Sequence, residues 1–147
     1  MLLGEENGRG MEFKIGVVGY STQKFDTAKA QRVLNDLFDQ ASSGHRDVAV
    51  VSGMTDLGIS GVAYRIAQER GWRTVGVACS KASDYACFPV DEGRIIGTNW
   101  GDESQEFLRM CDVIVRVGGG KQSLAEVAQF KERGGLVYES ELDVLPD

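Results

Sequence analysis

Three consecutive glycines, Gly118, Gly119 and Gly120, separate the strand-like run Val113 to Val117 from a segment, Gln122 to Arg133, that has helical spacing. Glycine permits positive φ and close approach to the main chain. The first N–H groups of a helix lack intrahelical acceptors and lie at its positive end. A strand leaving through such a turn into a helix is therefore a place to hold an anion, and a phosphate is the expected one. Lys121, Gln122 and Ser123 extend the donor set. Glu126 falls one helical turn further in, close enough to face the same pocket. The turn is not a Walker A loop, because Gln122 follows Gly120-Lys121 and Val115 stands where the first motif glycine belongs.

A second glycine-punctuated turn runs from Ser52 to Gly61. Gly53, Thr55, Asp56 and Gly58 are candidates for contact with the same ligand, with Thr55 or Asp56 expected to cap the following helix. Gly58 and Gly61 sit where a helix can pack against a phosphate or a neighbouring strand. The first strand ends at Gly19, so Gly19, Tyr20 and Ser21 complete the candidate binding set. No metal ligand set is present: His45 is the sole histidine, in the polar stretch Ser42 to Arg46, and Cys79, Cys87 and Cys111 form no C-x-x-C pair. The three cysteines are expected to be buried free thiols.

These turns must be positioned by an alternation of strands and helices. Lys14 to Gly19, Asp47 to Gly53, Trp72 to Cys79, Gly93 to Thr98, Asp112 to Val117 and Gly135 to Glu139 read as strands. Between them, Ala30, Val33, Leu34, Leu37, Phe38 and Ala41 recur at helical spacing, and Ile59 to Arg70, Glu103 to Met110 and Gln122 to Arg133 read as helices. Ser80 to Asp91 has no clean period and is left open. Continuous apolar strands alternating with helices predict a three-layer α/β fold, a mainly parallel sheet with helices on both faces. Ligands of such sheets bind beyond the carboxyl ends of the strands, where the glycine turns lie.

The chain has 147 residues, enough for one domain with a real core, and its charge of −6 opposes a large basic footprint for duplex nucleic acid or an anionic membrane. No apolar run reaches membrane-spanning length. The first twelve residues, acidic and glycine-rich, read as a flexible leader rather than a signal peptide, with Met11 a conceivable alternative start. The expected location is the cytoplasm.

The two turns together resemble the nucleotide-binding superfamily that includes the Lonely Guy phosphoribohydrolases, also known as lysine-decarboxylase-like proteins, and the molybdenum-cofactor carrier proteins. The family pattern P-G-G-x-G-T-x-x-E maps without gaps onto Gly118 to Glu126, and G-G-G-x-x-G-L-M-G maps onto Gly53 to Gly61, with Asp112 on the acidic residue that opens the preceding strand. Gly118 replaces the proline, Gln122 the fourth-position glycine, and Ser123 the threonine. The family's arginine falls in the window Gly101 to Gln105, which holds Glu103 and no arginine; Arg94 and Arg109 are the nearest. The resemblance implies a single Rossmann-like nucleotide-binding domain over residues 13–147. It implies a bound nucleotide or pterin-type ligand with no other cofactor required, and Glu126 as the catalytic carboxylate if the chain hydrolyses nucleoside monophosphates. It also implies a homodimer or higher oligomer, for which Leu34, Leu37, Phe38 and Phe130 are candidate contacts. Binding of a phosphorylated small molecule is favoured over phosphoribohydrolase activity, with molybdenum-cofactor carriage a third reading.

Overall fold

A computed structural model of the chain describes residues 11–146. Six strands form one wholly parallel sheet: β1 (Phe13–Gly19), β2 (Val48–Ser52), β3 (Arg73–Ala78), β4 (Glu92–Ile95), β5 (Val113–Val117) and β6 (Leu136–Ser140). Their order is β4-β3-β2-β1-β5-β6. The crossovers carry α1 (Thr27–Ala41), α2 (Gly58–Glu69), α3 (Ser104–Met110) and α4 (Lys121–Glu132). Helices α1 and α2 cover one face of the sheet, α3 and α4 the other. The three-layer Rossmann-like fold expected from the alternation is thus present, and no described helix is long and apolar enough to cross a membrane.

Every residue of β2 and β5 is buried, which is why both read as apolar runs, Val48 to Val51 and Val113 to Val115, with Ser52 and Arg116 following them. On one face Leu34, Phe38, Ile59 and Tyr64 pack on Ile15, Val17, Val50 and Val115; on the other Phe107, Leu108, Val127 and Phe130 pack on Val18, Val51, Val75 and Ile114. Full burial of each such apolar side chain stabilises the fold by about 1.5–3 kcal/mol. Tyr64 buries its ring and still satisfies its phenol, which donates to the Val75 carbonyl at 2.9 Å and accepts from the Met54 N–H at 3.0 Å.

Several expectations change here. Leu34, Leu37, Phe38 and Phe130 are all core residues, so they supply no apolar patch for a second copy; helical periodicity alone cannot tell a core stripe from an interface stripe. Cys79 and Cys111 are buried free thiols, but Cys87 is exposed. Ser80–Asp84 forms a 3₁₀ turn, after which the chain runs back along the β2–α2 turn: the Asp56 N–H donates to Ala86 O, the Phe88 N–H to Met54 O, and Thr55 bridges Cys87. Residues 1–10 of the expected leader lie outside the described residues. Glu12, counted with that leader, is buried and bonded to Arg73 at 2.9 and 3.0 Å.

Candidate functional site

The connection from β1 leads to β2 on one side of it, while β5 pairs on its other side and leads outward to β6. Chain paths therefore diverge between β1 and β5, the place where open α/β sheets leave a crevice beyond their carboxyl ends. A cavity of about 430 Å³ lies there. Its floor is Val17, Val18, Val77 and Phe107. Its rim comes from the β1–α1 loop (Gly19, Ser21, Thr22, Gln23), the β2–α2 turn (Ser52, Gly53, Thr55) and the β5–α4 turn (Gly120, Lys121, Gln122, Ser123). Tyr85, Trp100, Glu103 and Glu126 complete the wall.

The glycine turn is built from below. Gly118 has φ +62° and Gly119 φ +113°, both in the left-handed region that a side chain rarely tolerates. The Gly118 N–H donates to Ser140 O at 3.0 Å, its carbonyl accepts from Arg116 Nη1 at 2.8 Å, and the Tyr20 ring lies where a Cβ would project. Proline, locked near φ −65°, cannot take this position, which accounts for glycine standing where the family pattern has proline. Gly120 is the extended N-cap of α4, with no side-chain cap. The Leu124 N–H closes the first turn on Gly120 O at 3.1 Å, and the backbone N–H groups of Gly119 to Ser123 find no acceptor among the described residues. Donors of this kind at a helix N-terminus can hold an anion, and Gly120 to Ser123 line the cavity.

Beside the glycine turn sits a carboxylate pair. Glu126 is only 6% exposed; its Oε2 accepts from Ser104 Oγ at 2.7 Å and from Gln122 Nε2 at 3.4 Å. Burial pushes its carboxyl above the ordinary range; the bonds from Ser104 and Gln122 oppose the rise and the charge of Glu103 adds to it. Glu103 is buried as well, accepting from the Gly101 N–H and from Gln122 Nε2, each at 3.0 Å. Gln122 thus donates to both acids. The two departures from the family pattern, glutamine for glycine and glutamate for arginine, meet in space. The Cys111 thiol is also pushed up by burial, then by the nearby Glu126, so it stays protonated at neutral pH.

No protein-family model matches the sequence, and no curated protein matches it. Solved structures do. The molybdenum cofactor binding protein from the phototrophic bacterium Rippkaea orientalis shares 22% identity and a TM-score of 0.72 over 90% of this chain and 78% of its own. A Moco carrier protein from Chlamydomonas reinhardtii shares 26% identity and a TM-score of 0.67 over 87% of this chain and 75% of its own. The TM1055 protein, a structural genomics target, matches with 23% identity and a TM-score of 0.68 over 85% and 72%. This chain has the fold of the molybdenum cofactor carrier proteins. The resemblance first read from two glycine turns is therefore met by structural likeness over 85–90% of the chain.

Within that fold, Gly19, Ser21, Gly53, Thr55, Gly120, Lys121, Gln122, Ser123 and Glu126 surround the cavity. Tyr20, Asp56, Gly58, Gly118 and Gly119 lie outside its lining. Tyr20 packs on Gly118 and stacks on Phe25. Neither Thr55 nor Asp56 caps α2, whose N-cap is Leu57 without a side-chain bond; Asp56 holds Arg65 instead, at 2.5 and 2.8 Å. Gly58, at φ +53°, presses against the main chain of Tyr20 and Ser21 rather than against a ligand, and Gly61 packs on Asp56. Met54 stands where the family pattern has its second glycine and keeps a positive φ of +73°, a strain of order 1–3 kcal/mol that Tyr64 and Phe88 hold in place.

Lys121 is the only cationic side chain bordering the cavity among the described residues. Arg94 and Arg109 both pair with Glu106, and Arg94 also with Glu92, so neither stands in for the missing arginine. Residues that the sequence reading passed over are Arg116, which braces the turn, and Tyr85, Trp100 and Glu103 in the wall. Glu103 had a signal: it occupies the arginine window just ahead of a helix, opposite an unusual glutamine.

Proposed function

We propose that this chain binds a phosphorylated small molecule, seating the phosphate on the backbone N–H groups of Gly119 to Ser123. The observation that carries this reading is the run of N–H groups without acceptors, four of which, those of Gly120 to Ser123, belong to residues that line a cavity at the divergence of β1 and β5. In an acidic protein with one lysine at the site, charge is balanced by the dipole and main chain of α4 rather than by arginines. A nucleotide or a pterin-type compound fits the volume and the donor set. The pterin reading is favoured by the likeness to proteins named for binding the molybdenum cofactor. Hydrolysis of a nucleoside monophosphate is disfavoured, because Arg94 and Arg109 are held by Glu106.

The homodimer implied by the resemblance and the cytoplasmic location expected from the sequence belong to this proposal too, the dimer being tested by light scattering at tens of micromolar. The ligand is tested by denaturing purified protein and identifying the released small molecules by mass spectrometry. A phosphorylated compound near one per chain, absent from a Gly120→Asp variant, is the expected result. A tightly held compound without phosphate would overturn the reading.

A further inference from the structure

The wall opposite the floor carries two half-exposed aromatic rings, Tyr85 and Trp100, tilted against each other with centroids 6.0 Å apart. They stand on separate loops, one after β3 and one before α3, and both border the cavity. Large aromatic surface left open at a pocket mouth is the usual platform for a flat ring. Deeper in the same cavity, Glu126 is more than nine-tenths buried and lines it, yet only its Oε2 has protein donors; among the described residues nothing donates to Oε1. Because no described buried side-chain oxygen is left without a partner, Oε1 keeps access to solvent, and the cavity is the space that Glu126 lines. Glu103, tied to it through Gln122, contributes a second acceptor-only group. A site made for a purely anionic ligand would not place two carboxylates beside the phosphate cradle. The arrangement is complementary to a molecule with a phosphate at one end and hydrogen-bond donors on a ring at the other.

Resting on the phosphate reading above, we propose that the cavity selects amino-substituted nitrogen heterocycles: the ring lies against Tyr85 and Trp100, and Glu126 Oε1 accepts an exocyclic amino N–H. Gln122 acts as a positioning residue, holding both carboxylates toward the ring. A site with buried polar groups discriminates against a ligand that lacks the matching donor, because its acceptor is then left unpaired.

Calorimetry with inorganic phosphate, GMP, AMP and IMP tests this, since IMP lacks the exocyclic amine of the other two. At least one amino nucleotide is expected to bind about tenfold or more tighter than IMP. The preference should fall to within about threefold in Glu126→Gln, and Trp100→Ala should weaken all three nucleotides while leaving inorganic phosphate unaffected. Phosphate binding with no amino preference, or a preference that survives Glu126→Gln, would overturn this inference while the phosphate reading stands. Absence of binding by phosphate and all three nucleotides would remove the phosphate reading itself, and this inference with it. Gln122→Leu separates positioning from contact: it should lower the amino preference with Trp100 and Glu126 both in place, and an unchanged preference would remove Gln122 from the account.

Discussion

Gly120→Asp separates binding from stability in opposite directions. Gly120 is the N-cap of α4, with φ −103° and ψ −156°, and a Cβ built there meets nothing within 4 Å. The fold therefore admits the side chain, and its carboxylate reaches the free N–H groups of the first turn, as N-cap aspartates do. Replacing glycine by a good N-cap residue gains a few tenths of a kcal/mol, or about 1 °C in Tm for a chain of this size. The same carboxylate now occupies the donors to which we assign the phosphate, and would repel it. Two unit charges about 4 Å apart interact by about 1 kcal/mol in water and about 4 kcal/mol at an effective dielectric of 20. With the lost hydrogen bonds, a penalty of about 3–4 kcal/mol, or roughly 100- to 1,000-fold in affinity, is expected. Calorimetry with the phosphorylated ligand and a thermal melt of the same sample measure both effects. Gly120→Asn serves as the neutral control and should lose much less affinity. Unchanged affinity in Gly120→Asp, with Tm held or raised, would refute the reasoning, since the turn would be filled without consequence.

Glu126→Gln should raise Tm at pH 7 relative to the parent protein, with the difference closing as pH falls toward 4. The native carboxyl titrates above the ordinary 4.5, so the parent loses stability as pH rises from that value through the raised one, and the amide does not; a pH series of melts in the absence of ligand would show an unchanged gap if this is wrong. Gly118→Pro, which would restore the family motif on paper, should instead destabilise the fold by about 3 kcal/mol or more, because φ +62° is closed to proline and the bond to Ser140 O is lost; denaturant unfolding at the parent's midpoint would contradict this. Incubation with common nucleoside monophosphates should release little or no free base by chromatography. Robust release that disappears in Glu126→Gln would show an enzyme where we place a binding protein.

The elements were legible because parallel strands buried on both faces leave an uninterrupted apolar signal, as in Val48 to Val51 and Val113 to Val115, and because glycines punctuate the turns. The glycine turn with its free N–H groups was legible for a related reason: these donors are main-chain groups, so a strand, three glycines and a helix suffice to announce them, while the phosphate we assign to them is a proposal. Ser80 to Asp91 was not legible, since its long-range backbone bonds go to Met54, Asp56, Thr74 and Gly97 in other parts of the chain, a pairing with no local period. The carboxylate pair was hidden differently. Glu103 and Gln122 each looked like the loss of a family residue, and only their 3.0 Å contact, across 19 positions of chain, makes one departure answer the other. Asp56 shows the converse: its type and place suited a helix cap or a ligand contact, but Arg65, two turns along α2, binds it first.

The most direct test of the phosphate cradle follows the amide resonances of Gly119, Gly120, Lys121, Gln122 and Ser123 by ¹H–¹⁵N spectroscopy during titration with GMP, AMP or inorganic phosphate. Charge-assisted hydrogen bonds to phosphate oxygens should move these amide protons downfield together and saturably, and Gly120→Asp should abolish the response. Saturable binding that leaves these five resonances in place, with the shifts gathered elsewhere on the chain, would contradict the account.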